Sequence, residues 1–176
     1  MLESIEVLQG GGPVDTRELT LQLSAELLLL TGVCTNSADA VQQLEARLND
    51  GSAYERFCRM VAGQGGDPTA PLKVAPASEV CSKTAGAVAA IDTEALGLAI
   101  ITMGGGRRTM GEQIDHSVGL EMLVRLGDHV DAGQPLVRIF SRNPESVVSQ
   151  IRSAIRIDST GTVPPLIRER IVGCTT

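Results

Sequence analysis

The hydrophobic pattern of this chain changes once, near its middle, and the change limits the folds that the chain can adopt. Up to residue 66, apolar residues recur every three to four positions and glycines interrupt the pattern, as in a series of helices. From residue 84, short apolar runs alternate with glycine turns, as in a β domain. Residues 67–83 lie between the two patterns, carry three prolines and predict a linker.

Within residues 1–66, the pattern predicts the end of one helix over Leu2 to Leu8 and three complete helices after it. Asp15 and Glu18 have the spacing of a capping box that starts the first complete helix. Ser37 and Ser52 are the predicted caps of the other two, which end at glycines. The side chains expected to face inward are, in the three helices, Leu19, Leu23, Leu27 and Leu30; Val41, Leu44 and Leu48; and Tyr54, Phe57, Met60 and Val61.

Residues 84–158 predict a mostly β domain with two short helices. Ala87 to Ile91 is a predicted strand, and Asp92 is the predicted cap of the helix that follows it. Asn143 and Pro144 open the last predicted helix, and residues 159–176 predict an extended tail. The predicted core of the β domain comprises Val88, Ile91, Leu123, Val130, Leu136 and Ile139, and that of the last helix Val147, Ile151, Ala154 and Ile155.

The stretch "LVRLGDHVDAGQPLVRIF" has the strand and turn pattern of biotinyl and lipoyl carrier domains. It predicts a flattened, barrel-sandwich-like β domain with tight turns at Gly127–Asp128 and at Gly133–Gln134. A carrier attaches its prosthetic group to a lysine on an exposed hairpin, whereas the two lysines of this chain, Lys73 and Lys83, precede the motif. The pattern therefore predicts carrier architecture without carrier chemistry, in a chain of the α+β class.

A second motif, "ITMGGGRRTM", has three glycines and two arginines that suggest a phosphate site. In a phosphate cradle, the glycines precede a helix whose free N–H groups face the anion. Here the glycines follow a predicted helix, so Gly104 is expected to end it. Two other interpretations stay open: the segment Gly104, Gly105, Gly106, Arg107 and Arg108 forms a mobile lid near a ligand, or it forms a phosphate cradle.

Composition excludes several classes of function. The net charge of −6 and the aromatic content of 2% argue against nucleic-acid binding. The apolar run Leu27 to Leu30 is far shorter than the ~20 residues of a membrane span, and a cytoplasmic protein is expected. Four scattered cysteines without a CxxC pair predict free thiols, and with only two histidines, His116 and His129, a zinc site is not expected.

Four stretches resemble the thymidine and pyrimidine-nucleoside phosphorylase family. "GAVAAIDTEALGLAIITMGGGRR" and "IDHSVGLEMLVRLGDHVDAGQPLVRIFS" are similar to its C-terminal domain, and "LTLQLSAELLLLTGV" and "ARLNDGSAYERFCRMVAGQGGDP" to the segment just upstream. The resemblance implies that residues 1–66 are the helical part of an α/β domain and that 84–158 are the family's C-terminal domain. It covers only the C-terminal portion of the family's enzyme.

The resemblance implies a parent enzyme that converts thymidine and phosphate into thymine and 2-deoxyribose 1-phosphate. It also implies that the catalytic, base-binding and phosphate-binding residues, and the domain through which the family forms homodimers, precede this portion. No catalytic or substrate-binding residue can then be assigned here, and phosphate enters only as the co-substrate of the parent. Glu3 aligns with a carboxylate that some members use for a structural monovalent cation, and the "GGGRR" segment with a mobile loop near the cleft.

Three functions remain open from the sequence. The chain is an inactive C-terminal fragment of a phosphorylase, as its start inside an apparent helix suggests, with the missing N-terminal part as its partner. Alternatively, it is a stand-alone binding or scaffold module, or a degenerate carrier-like domain.

Overall fold

The structure is a computed structural model that describes residues 2–171. The chain divides into two compact units. One comprises the residues up to Ala70 together with the segment from Pro165, and the other is Pro71–Pro164. Over residues 2–171 the structure contains six helices and two small antiparallel sheets. The predicted α+β class is thus confirmed.

The first unit is helical, as predicted. Its helices are α1 (Leu2–Leu8), α2 (Val14–Leu30), α3 (Ser37–Asn49) and α4 (Ser52–Gly63). Helices α2 and α3 pack against each other around a small core of buried Ala25, Cys34 and Ala40. Leu28, Leu29, Val41 and Leu44 pack against this core from α2 and α3.

The predicted helix caps in this unit are displaced. Helix α2 begins before Asp15, after Pro13, and no side chain caps it, so the capping box of Asp15 and Glu18 is wrong. Pro13 takes the N-cap position because the chain already turns into the helix at Val14. Helix α3 is capped by Asn36 rather than Ser37, with the Asn36 side chain accepting the Asp39 N–H at 2.9 Å.

The predicted inward stripe of α2 is also wrong in this chain. Leu23, Leu27 and Leu30 are 57%, 62% and 81% exposed, whereas the buried residues of the helix are Leu21 and Ala25. Leucines occupy both faces of α2, and helical spacing cannot decide which face meets a partner. In α4, Met60 is likewise exposed, and Tyr54, Phe57 and Val61 are half-buried.

The second unit contains both sheets and two helices. The first sheet has the order β1-β5-β3 and the second β4-β2-β6. Their elements in chain order are β1 (Ala77–Cys81), β2 (Gly86–Ile91), α5 (Thr93–Thr102), β3 (Gly119–Met122), β4 (His129–Val130), β5 (Pro135–Phe140), α6 (Glu145–Ser153) and β6 (Ile155–Asp158).

Two strands lie where the sequence predicted other structure. Strand β1 falls inside the predicted linker 67–83 and pairs antiparallel with β5, so residues 77–81 belong to a sheet. The three prolines of that segment all precede the strand, and they are the signal that predicted a linker. Ile155, predicted to continue the last helix, instead starts β6, which pairs with β2.

The core of the second unit is close to the prediction. Val88, Val130, Leu136 and Ile139 are buried, whereas Ile91 and Leu123 are half-buried. The predicted apolar residues of the last helix segment, Val147, Ile151, Ala154 and Ile155, are buried in the same cluster. Asp92 caps α5 as expected, with its carboxylate accepting the Ala95 N–H at 2.9 Å.

Both predicted tight turns are present. Gly127 and Gly133 have φ angles of 88° and 87°. The Asp128 carboxylate accepts the Arg125 N–H at 2.7 Å, and the Gln134 amide oxygen accepts the Asp131 N–H at 3.0 Å. These side chains hold the turns in place. A relationship of this unit to biotinyl and lipoyl domains stays a prediction.

Cys34, Cys58 and Cys81 are free thiols, as predicted, and Cys174 lies outside the described residues. Among the helices of residues 2–171, none combines the length and the apolar character that crossing a membrane requires.

Candidate functional site

The glycine segment after α5 is a helix stop. Met103 is the C-cap of α5, and Gly104 has a φ angle of 94°, in the left-handed region that favours glycine. The Gly104 N–H donates to the Ile101 carbonyl at 3.0 Å, and the Gly105 N–H donates to the Ile100 carbonyl at 2.9 Å. These two bonds form a Schellman motif, which confirms the predicted role of Gly104.

Because these two N–H groups are already bonded within the chain, they are not available to a phosphate. A cradle needs N–H groups that point outward at the start of a helix, but those of Gly104 and Gly105 point back into α5. The structure has turns and bends, and no helix, between α5 and β3. The geometry of the described residues therefore favours a helix stop over a phosphate cradle.

Close packing explains why glycine occupies positions 105 and 106. A Cβ atom at Gly105 would lie 2.7 Å from Cγ2 of Ile100 and 3.0 Å from Cγ2 of Val118. At Gly106 it would lie 2.7 Å from Cγ1 of Ile101. Real side chains essentially never approach so closely. The loop thus folds back tightly over the last turn of α5.

We expect Gly105→Ala to destabilise the second unit by ~1–3 kcal/mol, because the added methyl group forces neighbouring side chains from their positions. Gly97→Ala is the matched control, since its Cβ would meet nothing within 4 Å in the middle of α5. That control should stabilise the helix by ~0.5–1 kcal/mol. Urea unfolding of both variants tests the pair, and equal effects would contradict the described packing.

Side chains hold the rest of the loop. The Glu112 carboxylate accepts the N–H groups of Arg108 and Thr109 at 2.8 Å and 3.3 Å, and these bonds lower its pKa below the ordinary value. The Arg108 guanidinium donates to the Thr102 hydroxyl at 3.1 Å. A carboxylate with a lowered pKa keeps its charge, and these bonds, to a lower pH than an ordinary glutamate does.

Asp115 anchors the far end of the loop. Its carboxylate accepts the Ser117 hydroxyl and N–H at 2.6 Å and 2.9 Å, and the Arg142 guanidinium at 2.6 Å. The Ser117 bonds, followed by Arg142, lower the pKa of Asp115. Its N–H donates to the Gly104 carbonyl at 2.9 Å. The two ends of the loop are therefore tied together. The sequence signal for this anchor is the Asp115-x-Ser117 spacing, which is typical of a turn closed by an aspartate side chain.

Arg107 is the exception in the loop. Its side chain is exposed and forms no hydrogen bond or ion pair within the described residues. Since Arg108 is already bonded to Thr102, Arg107 is the uncommitted guanidinium of the loop within the described residues. An exposed guanidinium can attract an anion but supplies neither a base nor a nucleophile at neutral pH.

The other candidate residues lie apart from this loop. His116 and His129 are both exposed. Glu3 is exposed in the first turn of α1. Over residues 2–171, no three histidine, cysteine or acidic side chains come together in a way that could hold a metal ion. Glu3 would thus need ligands from other sources to bind a cation.

A recess of about 380 Å³ lies in the first unit, between the glycines at Gly10–Gly12, the start of α2 and α3. Arg17 lines it, but its guanidinium already lies 3.5 Å from the Glu45 carboxylate. Glu18 adds a second acidic group to the wall. An anion such as phosphate would face two carboxylates and a paired arginine, so the recess does not provide a phosphate site either.

We expect inorganic phosphate to bind this chain no better than chloride does. The amides of Gly104 and Gly105 are engaged in α5, and α5 ends rather than begins at the loop. Amide chemical shifts of Gly104, Gly105 and Gly106, followed during a phosphate titration, test this. Saturable shifts with sub-millimolar affinity would establish a cradle.

The matches of this chain to a family model and to individual proteins agree with one another. Residues 87–158 match the family model of the pyrimidine nucleoside phosphorylase C-terminal domain. A thymidine phosphorylase of Mycobacterium tuberculosis is 39% identical over 175 residues, which cover 97% of this chain and 40% of that protein. One of Burkholderia cenocepacia is 36% identical over 181 residues, covering 96% and 41%. The chain thus spans about two fifths of the length of these curated relatives.

Proposed function

We propose that this chain acts as the C-terminal part of a thymidine phosphorylase, because it belongs to the thymidine and pyrimidine-nucleoside phosphorylase family and matches the C-terminal portion of its members. The observation that carries the proposal is the match over 97% of the chain, which includes residues of both units, to a protein of that name. The complete enzyme would convert thymidine and phosphate into thymine and 2-deoxyribose 1-phosphate, and this portion would complete its fold.

The chemistry of that reaction supports a structural rather than a catalytic role for this portion. Cleavage of the N-glycosidic bond passes through a transition state with positive charge on the sugar and negative charge developing on the base. An enzyme must hold phosphate beside the sugar and place donors at the base. Neither the glycine loop nor the recess at Arg17 has such an arrangement. We therefore assign catalysis to the rest of the enzyme.

We propose that the loop from Gly104 to Arg108 acts at the mouth of the cleft. The uncommitted guanidinium of Arg107 supports this role, since an exposed cation without a partner in the described fold is available to attract an anionic substrate. A role of Glu3 in holding a monovalent cation, and homodimer formation through a preceding domain, are further proposals that the resemblance motivates.

The decisive experiment joins this chain to the part of the Mycobacterium tuberculosis thymidine phosphorylase that it does not match, in one polypeptide. We expect phosphate-dependent release of thymine from thymidine. Folded, joined protein without any phosphorolysis of thymidine or uridine would contradict the proposed function. The alternative, a stand-alone scaffold, predicts that outcome.

In the joined protein, we expect Arg107→Ala combined with Arg108→Ala to slow turnover. The fold should hardly change, because each exposed charge near a helix end contributes only ~0.3–1 kcal/mol. Arg56→Ala with Arg59→Ala, on exposed positions of α4, is the matched control and should leave turnover unchanged. Steady-state kinetics with urea unfolding separates the two effects. Unchanged turnover of the loop variant would contradict a role at the cleft.

A further inference from the structure

Helix α2 has two apolar faces, and only one of them is covered. Seven of its seventeen residues are leucine. Leu21, Ala25 and Leu28 lie on the side that packs against α3. The opposite side presents the leucine face, which we define as Leu19, Leu23, Leu27 and Leu30; the last three are more than half exposed. A second, uncovered apolar face on one helix indicates a surface that packs against another part of a larger protein.

The described C-terminal segment does not cover this face. Arg170 reaches α2 and forms an ion pair with Glu26 at 2.8 Å, one helical turn from Leu23 and Leu30. Even with this contact, Leu23, Leu27 and Leu30 stay exposed. The Glu26–Arg170 pair instead gives the leucine face a polar border, as is usual at the rim of an interface.

We propose that the leucine face is the surface on which the preceding part of the phosphorylase packs. The proposal rests on the proposed function and adds to it the place of contact. In the Mycobacterium tuberculosis relative, the matched residues make up only 40% of one polypeptide, so a large part of that protein has no counterpart in this chain. A segment joined covalently acts at a high effective concentration, and even a small apolar face can then hold it.

A second copy of this chain fits the face less well. Stable interfaces between separate proteins use roughly 20–30 residues on each side. The leucine face contributes four side chains from a single helix, and its border is already engaged through Glu26. The size of the face therefore favours a covalently continuous partner over self-association.

The test uses the unmatched part of the Mycobacterium tuberculosis thymidine phosphorylase as a separate polypeptide, titrated with this chain in a calorimeter. We expect binding, and at least a tenfold weaker affinity for Leu23→Glu combined with Leu27→Glu. Met60→Glu with Leu98→Glu is the matched control, since both residues are about half exposed and lie outside the leucine face. Equal binding by the leucine variant would overturn the proposal; if the separate polypeptides do not associate, thiol labelling of the joined polypeptide decides instead.

A labelling experiment covers the case in which the separate partner does not fold. The thiol of Leu27→Cys should react with a thiol reagent at least tenfold more slowly in the joined polypeptide than in this chain alone. The reaction of the native cysteines is measured on the unsubstituted proteins and subtracted. Equal rates would overturn the proposal, as would a dimer of this chain that the two glutamates dissociate. Binding or protection without phosphorolysis would instead remove the proposed function and leave the contact in place.

Discussion

This chain alone is expected to release no thymine from thymidine at saturating phosphate. Loss of a single oxyanion-type donor costs an enzyme ~10²–10³ in rate. Here both the phosphate site and the donors to the base would be missing together. The amides of the glycine loop are turned into α5, and the arginine of the recess is paired with Glu45. No substitute for either site is available in these two places.

The measurement is the ultraviolet assay of thymine release, with the joined polypeptide as positive control. The same assay mixture without protein serves as negative control. Turnover by the isolated chain above this control would contradict the assignment of catalysis to the rest of the enzyme.

Local signals predicted the parts of the fold that local forces decide. The Asp92 cap, the Gly104 stop and the turns at Gly127 and Gly133 each depend on one residue and its nearest backbone neighbours. Their chemistry is the same in any context that permits the element to form. These features were therefore correct to the residue.

Contacts between residues far apart in the chain determined the structure where local sequence patterns did not predict it. Strand β1 exists because it pairs with β5, more than fifty residues later, and the prolines before it hide that pairing. Ile155 suits a helix or a strand, and its pairing with Ile91 of β2 selects the strand. In α2, the leucine pattern indicated an apolar face correctly, but its covered side depends on what packs there.

The candidate site shows the same division. The sequence identified the glycines and arginines of the loop, but not Glu112 and Asp115, which hold it. Glu112 has no distinctive spacing from the N–H groups that it accepts, whereas the Asp115-x-Ser117 spacing is a recognised turn signal. The packing of Val118 against Gly105 is a tertiary contact, and no local pattern encodes it.

Leu136→Ala is expected to destabilise the second unit by ~2–5 kcal/mol, the cost of truncating a leucine in a packed core. Leu136 is 1% exposed on β5, the central strand of its sheet. It lies in one apolar cluster with Val130, Ile139 and Ile151. Removing these methyl groups would leave a cavity in the cluster that the surrounding side chains would close only in part.

Leu98→Ala is the matched control, because Leu98 is 51% exposed on α5 in the same unit, and its cost should stay within ~0.5 kcal/mol. The readout must follow the second unit alone, since a chain with two compact units need not unfold in one step. Tyrosine fluorescence is unsuitable because Tyr54 lies in the first unit. Amide signals of β5 during urea unfolding report the correct unit. A loss below ~1 kcal/mol for Leu136→Ala, well under the usual range for core leucines, would contradict the placement of β5 in the core.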